Sequence, residues 1–469
     1  ENMQKPNILF LLADDQRHRT IHALGNKEIL TPNLDRLVHQ GCSFTNAHIM
    51  GGTNGAVCMP SRAMLFTGRT LFHIENEGQN IPPEHTTLGE AFKNEGYSTC
   101  GIGKWHNGTQ SYARSFTCGG NIFFGGMWDH WNVPVCDYHE DGEYNHMIRY
   151  TSNFYYGNQT MEMHCDRISA GVHSTELMAS EAIRYLENYT EEKPFYLQVS
   201  FLAPHDPRTM PDKYKNMYRP DELTLPPDFS EEFDVDFGIG SMRDEVLAGY
   251  PRSESEIRQH LADYYAMISH LDDAVGRILS ALERSGKLEN TIIVYAADNG
   301  LAVGSHGFMG KQNLYEDSVR VPLIISGSGI PEGKTMDQYV YLSDIFPTLC
   351  QLCDVEIPAS VEGKSMLPVI ENGQAIHDSL YLAYEGKVRA VKKAPYKLIE
   401  YRTDKMCRTQ LFDMEKDPYE QDDLSEEEGL AEVRRSLALL LEDYNEKLDD
   451  CRHRIGREFW KNYRKTEER

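Results

Sequence analysis

Two pairs of hard-oxygen side chains, Asp14-Asp15 and Asp298-Asn299, each stand directly after a short apolar run. Such carboxylate and amide oxygens suit Ca2+ or Mg2+, and neither pair has the Cys and His character of a zinc site. One Asp-Asp pair alone reads as a turn or a helix cap. A second pair at a second strand end makes a shared metal site the stronger account. Lys104 and His106 are spaced two apart after another apolar run, so an extended chain turns both side chains the same way. His205 follows a further run, and Lys311 follows Gly310 in a glycine-rich loop. Loops at strand ends are where functional groups tend to be mounted.

Residues 57–68 read Val57-Cys58-Met59-Pro60-Ser61-Arg62-Ala63-Met64-Leu65-Phe66-Thr67-Gly68. Pro60 and Ser61 suit the opening of a helix, because proline lacks an N–H that would be unpaired there. Arg62, Ala63, Met64 and Leu65 are good helix formers. Residue 58 is therefore expected at a helix N-terminus, where free N–H groups and the macrodipole favour an anion. Arg62, one turn on, can reach back with a forked cation. Taken alone, Cys58 reads as a small buried residue before an ordinary helix.

The elements that must position these groups are legible in outline. Apolar runs at residues 7–13, 97–102, 195–203, 291–297 and 321–326 read as strands. Helices are expected over 31–37 (capped by Thr31, with Pro32 first), 86–96, 174–189 and 256–285. Strands separated by helices predict an α/β fold with a large, mostly parallel central sheet flanked by helices. Four strands end in polar clusters, which aims those clusters at one edge of the sheet. Residues 107–172 and 205–252 show little periodicity and read as inserted binding loops or lids. After about residue 375 short strand-like runs and a helical tail predict a smaller domain of antiparallel sheet plus helices. The expected division is 1–375 and 376–469.

The 469 residues include 47 basic and 72 acidic side chains, a formal charge of −25. That argues against nucleic acid or an anionic membrane as the main partner, and requires any anion site to be locally positive. No run approaches the roughly eighteen apolar residues needed to span a bilayer. No signal peptide is visible, and Glu1 is not an initiator Met. Ten cysteines in a chain this long do not make a disulfide scaffold. Cys350 and Cys353 lie one turn apart in an apolar helical pattern and read as core. Asn107, Asn158 and Asn188 begin triplets of the glycosylation pattern.

The segment at 58–68 resembles the sulfatase signature C-x-P-S-R-x-x-x-x-T-G at every fixed position. Pro6-Asn7-Ile8, Gly103-Lys104-Trp105-His106, Leu314-Tyr315-Glu316, Arg320-Val321-Pro322, Leu411-Phe412-Asp413 and Asp417-Pro418 are similar to the same family, in the same order. The resemblance implies an alkaline-phosphatase-like fold and a type I, formylglycine-dependent sulfatase like those of glycan-degrading bacteria. It implies that a maturase, either the formylglycine-generating enzyme or the anaerobic sulfatase maturase, oxidises Cys58 to an aldehyde. By the same resemblance Asp14, Asp15, Asp298 and Asn299 bind calcium, or magnesium, together with residue 58. Hydrated formylglycine 58 is the nucleophile, and Arg62 and His106 hold and activate its hydroxyls. Lys104 and Lys311 contact sulfate oxygens, and His205 or Lys311 protonates the leaving alcohol. Asp317-Ser318 stands where many relatives carry glycines, a departure expected to alter a loop and spare the metal site.

Arg17, His18, Arg208 and His306 lie close in sequence to these residues, and some of them are expected to read groups around the sulfate. Aromatic residues in 123–156 are candidates for stacking on sugar rings. The expected substrate is a terminal sulfated sugar of a glycosaminoglycan-type glycan, such as a uronate 2-O-sulfate or a hexosamine sulfate. The expected location is periplasmic or extracellular, or lysosomal in a eukaryote. A phosphatase or phosphonate hydrolase of the same superfamily, and a glycan-binding protein without turnover, are the alternatives.

Overall fold

The structure, a computed structural model, describes residues 4–467. The outermost residues of both expected domains lie outside that range.

Eight strands form the central sheet: β1 (Asn7–Ala13), β2 (Gly41–Phe44), β3 (Ser98–Lys104), β4 (Cys118–Phe123), β5 (Phe195–Ser200), β6 (Thr291–Ala297), β7 (Leu323–Gly327) and β8 (Lys334–Met336). Their order is β8-β2-β7-β6-β1-β5-β3-β4. From β6 to β4 all neighbours run parallel. β7 is antiparallel to both β6 and β2. The sheet is therefore mixed with a parallel heart, as the alternation of strands and helices predicts. Every residue of β1, β5 and β6 is buried, which is why these strands read as unbroken apolar runs.

Three helices matter for the site: α1 (Cys58–Thr67), α2 (Ser174–Asn188) and α3 (Glu254–Arg284). Helix α2 packs on β5, β3 and β4 and also along α3. Helix Pro32–Gln40 opens with Pro32 as expected, but the Thr31 side chain does not cap it. The Thr31 hydroxyl instead accepts from the His22 amide and donates to Asp35. The stretch 107–172 is more ordered than its composition suggests. It holds β4, a helix at Thr109–Ser115 and four short strands, including the hairpin Met147–Thr151 with Thr160–His164.

Toward the C-terminus, strands Leu380–Tyr384, Val388–Lys393, Tyr396–Arg402 and Cys407–Asp413 form an antiparallel meander. Helices Ala431–Lys447 and Arg454–Glu467 follow. The meander also takes in the two-residue strand Gly51–Gly52, which pairs in parallel with Ala383 and Tyr384. Gly51 permits this: a β-carbon there would lie 1.8 Å from the Ala383 carbonyl oxygen, and its φ is +120°. The second sheet thus grips the chain just before it enters α1. Cys350 and Cys353 are buried, in line with a core role.

Candidate active site

The site is built where β1 and β6 end side by side. Ala13 pairs with Ala297, so Asp14 and Asp298 leave the sheet as neighbours. The Asp298 amide donates to the Ala13 carbonyl (3.1 Å), and the Asp15 amide donates to Asp298 Oδ1 (3.1 Å). Asp15 has φ +66°, a left-handed conformation that Asp tolerates better than most residues. Helix α1 delivers Cys58 to the same place at its first turn. The Ser61 hydroxyl donates to the Asp298 carbonyl (2.5 Å), and Arg62 Nε donates to Asp298 Oδ2 (2.9 Å). Arg62 Nη1 donates to the Lys104 carbonyl (3.2 Å), which ties α1 to the end of β3.

Lys104 and His106 both reach Cys58. Lys104 Nζ lies 3.6 Å from Cys58 Sγ and donates to Asp14 Oδ2 (2.5 Å). His106 Nδ1 lies 3.5 Å from Cys58 Sγ. Lys311 Nζ donates to Asp15 Oδ1 (2.6 Å), and Asn299 Nδ2 donates to the same oxygen (2.8 Å). His205 Nε2 is 3.6 Å from Asp15 Oδ2, and its Nδ1 donates to the Asp206 carbonyl (2.7 Å). The sequence-expected Asp14, Asp15, Cys58, Arg62, Lys104, His106, His205, Asp298, Asn299 and Lys311 are thus gathered in one cluster, almost all of it buried.

The electrostatics follow from burial among mixed charges. Burial pushes the Cys58 thiol up, and Asp14 and Asp298 add to that against the opposing pull of Lys104 and Lys311. An unmodified Cys58 is therefore held as a thiol, the weaker nucleophile. Burial, with Lys104 and Arg62 close by, drives His106 well below the usual imidazole range, so it is neutral at ordinary pH. Burial works against the Lys311 charge, but Asp15, Cys58, Asp14 and Asp244 together outweigh it and hold the ammonium well above its ordinary value.

The donor set fits a divalent cation. One ligand atom from each of Asp14, Cys58 and Asp298 lies within 4.8 Å of the others, and the same is true of Asp14, Asp15 and His205. Asp14 Oδ1 and Asn299 Oδ1 are buried without a hydrogen-bond partner, as is Arg62 Nη2. Orphaned buried oxygens are costly unless something cationic meets them. The carboxylates Asp14, Asp15 and Asp298 are balanced by Arg62, Lys104 and Lys311. A divalent cation would leave this pocket locally positive inside a strongly acidic protein.

A cavity of about 270 Å³ opens over this cluster, lined by Cys58, His106, His205 and Lys311 together with Met127, Arg243 and Gln312. Arg17, His18, Arg208 and His306 do not line it. Arg17 donates to the Ala302 carbonyl and pairs with Asp317, which also holds Arg19 and faces His18. Arg208 bonds His260, and His306 bonds Asp234 while stacking on Tyr315 at 3.7 Å. Asp317 is thus the buried anchor of an arginine network, which is what that local departure does. Asn107 is buried and its amide donates to the Met59 and Gly78 carbonyls, so its glycosylation triplet is closed off in the fold.

Sequence reasoning missed Arg243. Its guanidinium makes a forked pair with Asp206 (2.6 and 2.9 Å) and bonds Asp244 (2.6 Å) at the cavity rim. Burial works against the Asp206 charge, but Arg243, with His205 and Arg208, outweighs it and holds that carboxyl well below the usual range. The cluster Met242-Arg243-Asp244 sits in an irregular stretch, and no period marks it.

The family profile described as Sulfatase matches residues 6–355, and that of the N-sulphoglucosamine sulphohydrolase C-terminal region matches residues 304–447. An ulvan-active sulfatase of Formosa agariphila is 30% identical over 436 residues, covering 90% of this chain and 77% of that protein. An N-acetylglucosamine-6-O-sulfatase of Bacteroides thetaiotaomicron is 26% identical over 527 residues, covering 96% of this chain and 88% of that protein. A structure solved with D-glucosamine-2-N,6-O-disulfate superposes with a TM-score of 0.77 at 23% identity, covering 95% of this chain and 99% of the other. The fold is alkaline-phosphatase-like, and the chain belongs to the sulfatase family as a sulfuric ester hydrolase.

Proposed function

We propose that this enzyme removes sulfate from sulfated sugars of a glycan, with residue 58 acting as a formylglycine. The observation that carries the reading is the placement of Cys58 at a helix N-terminus with Lys104 Nζ at 3.6 Å and His106 Nδ1 at 3.5 Å. A thiol there is held protonated and is a poor nucleophile. An aldehyde hydrate carries two hydroxyls in the same position. One attacks sulfur, and its partner later loses a proton and expels sulfate as the aldehyde re-forms. A plain Ser or Cys would be left with a stable ester.

Neutral His106 accepts a proton at Nδ1 from the hydroxyl that it faces. Lys104 and Lys311 hold sulfate oxygens and stabilise the charge that builds as the S–O bond breaks. Arg62, with its Nη2 unpaired, is placed to orient residue 58. In its doubly protonated form His205 keeps Nδ1–H on the Asp206 carbonyl and gives the Nε2 proton to the departing alcohol, leaving a neutral imidazole; Lys311 is the alternative donor. Asp14, Asp15, Asp298 and Asn299 would hold Ca2+, or Mg2+ by the same oxygens, and the ion would supply further stabilisation of negative charge. Conversion of Cys58 requires a maturase as a partner.

The relatives named for ulvan and for N-acetylglucosamine 6-O-sulfate support a sulfated glycan as substrate, and the second supports a hexosamine sulfate; a uronate sulfate is the other member of the proposed class. A periplasmic or extracellular location fits such a substrate. No helix among the described residues is long and apolar enough to cross a membrane. Sulfate release from a panel of defined sulfated saccharides tests the reading. Activity confined to small aryl sulfates would sink the glycan assignment, and an intact Cys58 thiol in a fully active preparation would sink the mechanism.

A further inference from the structure

A second cavity of about 720 Å³ adjoins the one over Cys58 and shares His106 and Met127 with it. Most of its walls come from the stretch that reads as an insertion in the sequence, and Met59, Gln79, Asn80 and His106 complete them. The turn Phe124-Gly125-Gly126-Met127-Trp128 leaves β4 and folds back over His106. Tyr144 supports it from one side, with its ring 4.9 Å from that of Phe124. The hairpin Met147–Thr151 with Thr160–His164 closes the other side through Met163 and His164. Tyr150 of that hairpin meets the Trp128 ring edge-on at 5.9 Å and fixes its plane.

The chemistry of the wall is distinctive. Phe124, Trp128, Tyr144 and Met163 supply apolar and aromatic surface, while Gln79, Asn80 and Thr109 supply neutral hydrogen-bonding groups. Among the described residues, no Lys, Arg, Asp or Glu lines it. At about 270 Å³ the cavity over Cys58 falls just below the range of ordinary ligand sites, roughly 300–1,000 Å³. Its volume suits one sulfated ring, and a group linked to that ring on the His106 side would enter the aromatic cavity. A pyranose has one face of C–H groups and a rim of hydroxyls. Such a ring suits an aromatic platform edged by amides, and apart from the imidazoles of His106 and His164 the wall offers nothing to pair with a charged ring.

We propose that this second cavity is a subsite for an uncharged sugar ring linked to the sulfated one, with its apolar face on Trp128 and Phe124. The preferred substrate is then an oligosaccharide, and this proposal rests on the sulfatase reading given above.

The test compares kcat/KM for N-acetylglucosamine 6-sulfate, and for any other sulfated monosaccharide turned over in the panel, with that of the same ring linked to galactose. The wild-type enzyme is expected to favour the disaccharide at least tenfold. In Trp128→Ala that preference collapses to within twofold, and Trp128→Phe retains most of it. Asn80→Ala, at an exposed position where folding is not at risk, lowers the preference at least threefold. Equal kcat/KM for the two wild-type substrates overturns the proposal. So does an equal loss on both substrates in Trp128→Ala. A nitrophenyl group in place of galactose that gives the same gain overturns the sugar assignment. If no saccharide releases sulfate, the sulfatase-on-glycan reading has failed. The subsite is then judged by calorimetric titration with N-acetyllactosamine, where absence of saturable binding overturns it.

Discussion

Gly126 lies against the imidazole of His106, so close that a β-carbon on it would sit 2.8 Å from both Cε1 and Nε2. The turn that carries Trp128 is therefore seated directly on a residue that faces Cys58. Gly126→Ala must push the ring or the turn away, and a shift approaching 1 Å at a catalytic group can cost about 100-fold in rate. We expect kcat for sulfate release to fall by roughly that factor while the melting temperature stays near that of the wild type. A variant with unchanged kcat would show that His106 tolerates the displacement.

Residue 58 offers the most direct chemical readout. Conversion to formylglycine exchanges sulfur and two hydrogens for one oxygen, so the peptide that contains residue 58 should be lighter by that difference in active protein. Cys58→Ala should fold and bind substrate yet release no sulfate. Co-production with a maturase should raise specific activity in proportion to the converted fraction. Activity that does not track conversion would remove formylglycine from the account.

The two orphaned oxygens, Asp14 Oδ1 and Asn299 Oδ1, predict that a cation stabilises the fold as well as serving the reaction. An ion that binds only the folded chain adds about 2.7 kcal/mol at a hundredfold excess over its Kd. Chelator treatment should lower the melting temperature, and Ca2+ or Mg2+ should restore it. Asp14→Asn and Asn299→Ala should each weaken that response without needing substrate in the assay. No shift with either ion would leave the orphans unexplained.

The parallel heart of the sheet was legible because β1, β5 and β6 are buried on both faces and so are continuously apolar. Their polar ends were legible for the same reason, since the change in composition is abrupt. Lys104 and His106 were readable as a pair because an extended chain alternates, and both do reach Cys58. Strand β2, with Gly and Ser in four residues, and β4, with two glycines in six, carry too little pattern to register. The hairpin at Met147–His164 is largely exposed, so burial imposes no clean alternation on it. Arg17, His18 and His306 are near the site in sequence but do not line the cavity over Cys58. The chain bends away after each strand end, and acids distant in sequence, Asp317 and Asp234, take up Arg17 and His306. Arg243 could not be read because its partner Asp206 lies 37 residues away across an irregular loop.

The last prediction concerns pH and the latch between α2 and α3. Glu176, in the first turn of α2, accepts from His270 (2.8 Å) and makes a forked pair with Arg277 (2.8 and 2.9 Å), both on α3. The hydrogen bond from His270 lowers the Glu176 carboxyl, partial burial works the other way, and Arg277 lowers it further, to about 2 from an ordinary 4.5. A carboxyl depressed in the folded state contributes stability that is fully present above pH 4.5 and lost as the pH falls through 2. The pair is about a third exposed, so solvent screens it and the contribution is about 1 kcal/mol or less. Wild type should therefore melt above Glu176→Gln at pH 6, and the gap should narrow steadily between pH 4.5 and pH 2. Added salt should shrink the gap at pH 6. The latch bears on the site because α2 begins at Ser174, whose hydroxyl bonds His130 Nδ1 (2.6 Å), and His130 Nε2 donates to the His205 carbonyl (2.7 Å). Burial takes His130 down to about 4, so above that pH it is neutral and can keep one nitrogen as acceptor and the other as donor. A gap that is constant from pH 6 to pH 2 would show that Glu176 is not the group whose protonation loosens α2.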